Sequence, residues 1–311
     1  RLPGSSLAEL LAEQEYRTAF LTSSDLGWAN WRGFLQDRGY QTVLGDRDLG
    51  CGESLSPWGV EDRCLIDGMI RWLEESSSKR FLLTAWTMQT HHPYEPPPGL
   101  EPIDFFGAER PTDDYDFGRY LNVLHDTDRQ LGRLFAALRE HGLDRNTLVV
   151  VVGDHGESFG DPRGAYGHGT TIYEENVRVP MMLWSPRLFP RGGRSPIIGS
   201  HVELNQTIAD LVDQPAAGSW QGRSLFDPQR EPRAYFYVAN DDYLLGIRED
   251  RWKYILDVTD AHEELYDLRT DRDEKRNVAK RHPEICRRMR QRLAARVEAD
   301  HRFYAPLPSD G

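Results

Sequence analysis

The sequence predicts an α/β fold, a mostly parallel sheet flanked by helices, with a small C-terminal antiparallel subdomain. Three observations predict it. Apolar strand-like runs alternate with amphipathic helical stretches up to about residue 228, the pattern of a parallel sheet covered by helices. From about Arg233 the texture changes to short strands at 235–238, 243–248 and 252–256, separated by polar turns, which reads as an antiparallel sheet. The 311 residues, 39 % apolar and 28 % charged, make an ordinary globular composition, enough for one large domain plus a small one. The boundary falls at residue 228, giving an α/β part over 1–228 and a subdomain over 229–311.

Ser6 to Leu11 reads as a helix start, with Ser5 or Ser6 at the N-cap and Glu9 completing a capping box. Arg17–Thr22 (RTAFLT) is a short strand. The stretch 62–75 carries Leu65, Ile66, Met69, Ile70 and Leu73 at helical spacing. The continuous apolar run 81–87 (FLLTAWT) has the character of a strand covered on both faces. Residues 91–118, rich in Pro, Gly and Asp, form a long loop of the kind that is usually functional. A long amphipathic helix follows over 120–141, stopped by Gly142. TLVVVV at 147–152 is the strongest strand signal and is expected to be buried on both faces. A strand at 179–184, a helix at 202–212 and a terminal helix at 283–298 complete the reading.

A net charge of −12 argues against nucleic acid as a partner, since non-specific binding needs a basic stripe. An anionic small substrate stays open, because a bound cation can dominate a pocket. No apolar run approaches the roughly 20 residues of a membrane span, and no signal peptide is present. The chain opens at Arg1 rather than Met, so a leader or membrane anchor is expected only through a preceding segment. Cys51, Cys64 and Cys286 fit neither a disulfide framework nor a zinc site, and are expected to be ordinary thiols.

In open α/β sheets ligands bind beyond the carboxyl ends of the strands. After TLVVVV comes Gly153-Asp154-His155-Gly156-Glu157. A carboxylate and an imidazole leaving one strand tip make a half-site for a divalent cation. The same residues also suit a turn in which Asp154 caps the next element and His155 is exposed. His168 lies between two glycines in YGHGTTIYEE, where Glu174 and Glu175 read as a solvated helix face. His91 and His92 follow the 81–87 strand, and at least one is expected to face the pocket.

These motifs, in this order, resemble the sulfatase domain of the alkaline phosphatase superfamily. GDHGESFG, GHGTTIYEENVRVP, THHPYEPP, the helix around Asp126 and Asp128, HVELNQTIADLV, QGRSL and HEELYDLRTDRDEKRN together span nearly the whole chain. The resemblance implies an alkaline-phosphatase-like fold and metal-dependent hydrolysis of sulfate esters. It implies Asp154 and His155 as metal ligands, and His91 and His168 as catalytic groups that, with His92, contact the substrate. It implies one divalent cation, calcium in a sulfatase, or manganese, magnesium or zinc in a phosphotransferase. The partner is a small-molecule or glycan ester, and the setting periplasmic, extracellular or membrane-anchored. The side chains at 91, 154, 155 and 168 are expected to share one cleft.

Two departures stand out. The family's nucleophile, a cysteine in Cys-x-Pro/Ala-x-Arg or a serine or threonine, lies before the helix that begins here at Ser6, so the chain alone is expected to be inactive. Cys286 has an arginine at the right offset but stands in the terminal helix without the small residue, and does not replace it. Ser23 and Asp25 occupy places where sulfatases often carry lysine and histidine. That points toward relatives that move phosphoglycerol or phosphoethanolamine, the second reading. The third is a non-catalytic binding module.

Overall fold

Ser6 starts the first helix as its sequence suggests. Its hydroxyl accepts the Glu9 N–H at 2.9 Å and the Glu9 carboxylate accepts the Ser6 N–H at 2.6 Å, satisfying two end donors at once. The computed structural model describes residues 4–75, 80–107, 115–160 and 164–305. Its first elements are α1 (Leu7–Glu13), β1 (Arg17–Thr22), α2 (Trp31–Gln36), β2 (Thr42–Leu44), α3 (Asp62–Glu74), β3 (Phe81–Trp86) and α4 (Tyr115–Glu140). Then come β4 (Val149–Val152), β5 (Ser158–Phe159), β6 (Tyr166–Gly167), α5 (Glu174–Val177), β7 (Met181–Trp184) and α6 (Leu204–Leu211). The chain ends with β8 (Arg233–Ala239), β9 (Tyr243–Glu249), β10 (Trp252–Asp257), β11 (His262–Asp267) and α7 (Pro283–Tyr304). The long loop is described to residue 107, and 108–114 lie outside the described residues.

The chain divides into two compact units. One gathers Ser5–Val149 with Leu183–Gly192, the other Val150–Met182 with the chain from Gly193 onward. In the first, β2, β1 and β3 form a parallel sheet with β1 in the middle, Ala19 opposite both Thr42 and Leu83. Ala19 and Leu21 pack under Leu65, Ile66, Met69 and Trp72 of α3 and Leu134 and Leu138 of α4. The strand buried from its second residue onward is therefore β1. Among the described residues β3 pairs with β1 alone, and β4 with β7 alone. Each has one strand neighbour, and both are half-buried rather than covered on both faces.

Polar groups at the carboxyl end of this sheet are buried as a set. Asp62, at the start of α3, is wholly inaccessible. Its carboxylate accepts the Ser23 hydroxyl at 2.9 Å, the Thr127 hydroxyl at 3.0 Å and the Met88 N–H at 3.1 Å. Its own N–H donates to Gln89 Oε1 at 3.1 Å, and Gln89 Nε2 donates to the buried Asp126 at 3.1 Å. Burial drives the Asp62 pKa above the ordinary carboxylate range, against the pull of these hydrogen bonds.

The cysteine expectation is corrected. Cys51 and Cys64 are joined by a disulfide, their Cα atoms 6.1 Å apart, and Cys286 is the buried thiol. The loop after β2 folds back onto α3, a long-range event that a count of three cysteines does not encode. Closing a loop of 13 residues stabilises by about 3 kcal/mol, mainly through the unfolded chain. Dithiothreitol should therefore lower the melting temperature of the protein and leave a Cys51→Ser/Cys64→Ser variant unaffected. Equal sensitivity in the two would count against the bond.

In the second unit β8–β11 form an antiparallel sheet in the order β11-β10-β9-β8. Alternate residues serve opposite faces. Ile247, Tyr254 and Leu265 pack on Cys286, Met289 and Leu293 of α7. Ile255, Tyr266 and Leu268 pack on Ile172 together with half-buried Tyr173 and Val177. The sheet is thus covered on both faces, and β11, which the sequence reading held only as a motif, is its fourth strand. The solvated face expected for Glu174 is corrected too. Its side chain is 13 % exposed and lies 3.3 Å from Nζ of the fully buried Lys253.

Candidate active site

Beyond β4 the backbone turns at Gly153, whose N–H donates to Pro180 O at 3.1 Å. Asp154 Oδ1 accepts the His155 N–H at 2.9 Å, and Asp154 Oδ2 stands 3.6 Å from His155 Nε2. His155 Nδ1 donates to Gly156 O at 2.8 Å, which puts the ring's lone pair on Nε2. Both side chains are accessible, 55 % and 40 % respectively, so neither is consumed by packing.

His168 arrives through a short ladder. β5 and β6 pair antiparallel with Ser158 opposite Gly167, which sets the residues just outside, Glu157 and His168, side by side. His168 Nδ1 lies 2.7 Å from Glu157 Oε2. A carboxylate can only accept, so Nδ1 carries the proton and Nε2 the lone pair. The His168 and His155 rings stack, centroids 3.8 Å apart. Ligand atoms of His155, Glu157 and His168 all lie within 4.8 Å of one another.

Asn176 of α5 ties these loops together. Its carbonyl accepts the Gly156 N–H at 2.8 Å. Its side chain accepts the Ser158 hydroxyl at 2.9 Å, bonds the Thr171 hydroxyl and donates to Gly167 O at 2.9 Å. Gly156 passes so close to α5 that a Cβ there would sit 2.0 Å from Glu175 O. Two further groups border the site. His201 Nε2 lies 2.7 Å from Gly153 O, and Asn240 Nδ2 donates to Gly169 O at 2.8 Å.

The structure therefore brings Asp154, His155 and His168 together and adds Glu157, to which the sequence reading gave no role. The signal was present: Glu157 follows His155 by two residues in DHGE. His201 opens the HVELNQTIADLV motif but had no role assigned, and Asn240 carried no signal, because it is placed by a distant segment. His91 and His92 belong to the other unit. There His91 Nδ1 lies 2.8 Å from His92 O and its ring packs 4.3 Å from that of Trp58. It lines a shallow cavity with Ser56, Gln89 and Glu95. His92 is exposed, its ring edge-on to Tyr94. In that unit Ser23 is spent on Asp62, and Asp25 stands 3.5 Å from Arg47.

The donors fit a divalent cation. Two imidazoles and a carboxylate converge at a strand tip with Asp154 beside them, a mixed nitrogen and oxygen set. Among the described residues no cysteine offers an exposed thiol. Two are bonded together, and burial pushes the Cys286 thiol above its usual pKa.

Known proteins resemble this chain in sequence and in fold. Arylsulfatase K of Gallus gallus is 26 % identical over 242 residues, covering 68 % of this chain and 43 % of that protein. Phosphoglycerol transferase I of Xanthomonas campestris is 26 % identical over 241 residues, covering 76 % of this chain and 33 % of that protein. The chain thus spans less than half the length of either. A solved alkaline phosphatase superfamily protein from Vibrio parahaemolyticus superposes with a TM-score of 0.68 at 20 % identity, over 86 % of this chain and 62 % of that one. The fold is accordingly the alkaline-phosphatase-like α/β fold that the sequence predicts. The sulfatase family profile matches residues 2–214, and the chain belongs to the sulfatase family.

Proposed function

We propose that this chain serves metal-dependent hydrolysis of sulfate esters, small-molecule or glycan. The observation that carries the reading is the convergence of His155, Glu157 and His168 within 4.8 Å, with Asp154 alongside. Asp154 and His155 hold the cation, as the resemblance assigns. When bound, it withdraws charge from the ester oxygens. Glu157 fixes the His168 tautomer and ring direction. Protonated on both nitrogens, His168 contacts the transferred group through Nε2–H and gives that proton to the leaving oxygen, which leaves the ring as the Nδ1–H tautomer held by Glu157. His91 and His92 keep their proposed roles as contacts to the transferred group. An imidazole donor suits Zn²⁺ better than Ca²⁺, which prefers an all-oxygen shell, while the carboxylates also suit Mn²⁺. The Cys51–Cys64 bond supports an oxidising compartment, periplasmic or extracellular.

Calorimetric titration tests the cation reading. The chain should bind Mn²⁺ or Zn²⁺ more tightly than Ca²⁺, and His155→Ala should weaken that binding by about 100-fold, since a direct ligand is lost. Unchanged affinity in His155→Ala would sink the assignment. A specific observation favours the phosphotransferase as second reading: neither Ser23, bonded to Asp62, nor Asp25, paired with Arg47, offers a positive contact to sulfate. The full-length gene product, assayed on 4-nitrophenyl sulfate and on bis(4-nitrophenyl) phosphate, separates the two. Faster turnover of the phosphate diester would replace the first reading by the second.

A further inference from the structure

A cluster of buried charge next to α5 has no part in the chemistry just described. Lys253 on β10 is wholly inaccessible. The register sets it opposite Arg248 on β9 and Tyr266 on β11, on the sheet face that packs against Ile172 and Tyr173. Its Nζ lies 3.3 Å from Glu174 Oε1 and 2.9 Å from Glu274 Oε1. Arg248 reaches Glu174 Oε2 at 3.1 Å. Glu274 Oε2 accepts the Glu174 N–H at 2.6 Å. The Lys253 ammonium also stands 5.6 Å from the Phe236 ring centroid.

We propose that Lys253, acting with Glu274, is a positioning residue for the candidate cation site: it fixes Glu174 at the head of α5, and α5 holds the loops that carry His155, Glu157 and His168. The proposal rests on reading Asp154 and His155 as the cation's ligands, with Glu157 and His168 beside them. The path is continuous in bonds. Glu174 is gripped from three sides, by Lys253, Arg248 and Glu274. Two residues on, Asn176 holds Gly156 through its carbonyl and holds Ser158, Gly167 and Thr171 through its amide. His155, Glu157 and His168 are each next in sequence to one of these anchored residues.

Stability alone is a poor reason for this arrangement. A buried ion pair gains little over apolar residues of the same volume, and Ile255, on the same face, shows that the sheet accepts apolar side chains here. Glu274 is also held at φ +53°, a left-handed conformation that a side-chain-bearing residue enters at a cost. A charged, directional grip specifies where α5 sits in a way that apolar packing does not.

The test uses the whole chain, with Mn²⁺ as the probe. Lys253→Met should weaken Mn²⁺ binding by roughly tenfold or more, as loss of a supporting contact does. It should also speed amide exchange at 167–171 without metal, while β9, β11 and α7 keep their protection. Lys253→Arg, which keeps the charge, should retain most of both. Wild-type affinity and wild-type exchange in a folded Lys253→Met protein would overturn the proposal. Should Lys253→Met not fold, Glu174→Gln, which keeps the shape and removes the charge, takes its place with the same expectation, and unchanged Mn²⁺ affinity there overturns it equally. If the wild-type chain binds no Mn²⁺, the cation reading fails by itself, and exchange at 167–171 alone decides whether Lys253 positions the loop.

Discussion

Gly156→Ala should abolish Mn²⁺ binding and destabilise the protein by about 3 kcal/mol, near the upper end for an overpacked site. The new Cβ would stand 2.0 Å from Glu175 O and 3.2 Å from the Asn176 carbonyl carbon. Both obstacles are backbone, so no rotamer change relieves the overlap. Either α5 moves away or the 153–157 turn does. The turn carries Asp154, His155 and Glu157, and α5 carries Asn176, which joins that turn to the Gly167–Thr171 segment. Either movement breaks the Gly156–Asn176 bond that holds the turn carrying Asp154 and His155. Gly192→Ala is the control, since nothing lies within 4 Å of its added Cβ and its effect should be near zero. Thermal unfolding and Mn²⁺ titration of the two variants decide the matter. If both melt alike and bind alike, the close approach of Gly156 to α5 is wrong.

Much of this site was legible in the sequence because it obeys local rules. Asp154 and His155 follow the run of four valines in β4, and the carboxyl ends of such strands are where ligands sit. The capping box at Ser6 and Glu9 and the helical spacing along α3 are local as well, and both appear where the pattern puts them. What stayed hidden depends on partners distant in sequence. Glu174 looks like a solvated helix residue until Lys253, 79 positions away, is seen beside it. Lys253 itself, between Trp252 and Tyr254, alternates as a solvent-facing residue of a one-sided sheet would. It is buried because this sheet is covered on both faces, a property of packing rather than of period. Cys51 and Cys64 pair for the same kind of reason. The burial expected for β3 and β4 failed in the opposite sense, since hydrophobicity reports what a strand tolerates and the number of neighbouring strands decides what it receives.

The buried carboxylate of Asp62 allows the second large effect to be argued with its sign. Asp62→Ala removes the acceptor for the Ser23 and Thr127 hydroxyls and the Met88 N–H. Each donor left unpaired in the interior costs about 1–3 kcal/mol. Partial relaxation leaves an expected loss of about 4 kcal/mol, measured by denaturant unfolding. Asp62→Asn keeps the shape and one acceptor oxygen and should lose less than half as much. The two substitutions also separate charge from hydrogen bonding. Because burial raises the folded-state pKa of Asp62 above its ordinary 3.8, the native state favours the protonated carboxyl. That contribution to stability is complete below the ordinary value and is lost as pH rises through the raised one. Asparagine does not titrate, so the stability of the wild type relative to Asp62→Asn should fall as pH climbs from about 4 and level off once the carboxyl is ionised. A gap that widens with rising pH instead would mean that the three donors outweigh desolvation. The Ser23–Asp62–Thr127 cluster would then have to be read as a true carboxylate site rather than a buried acid tolerated for the order it imposes on the loop bearing His91.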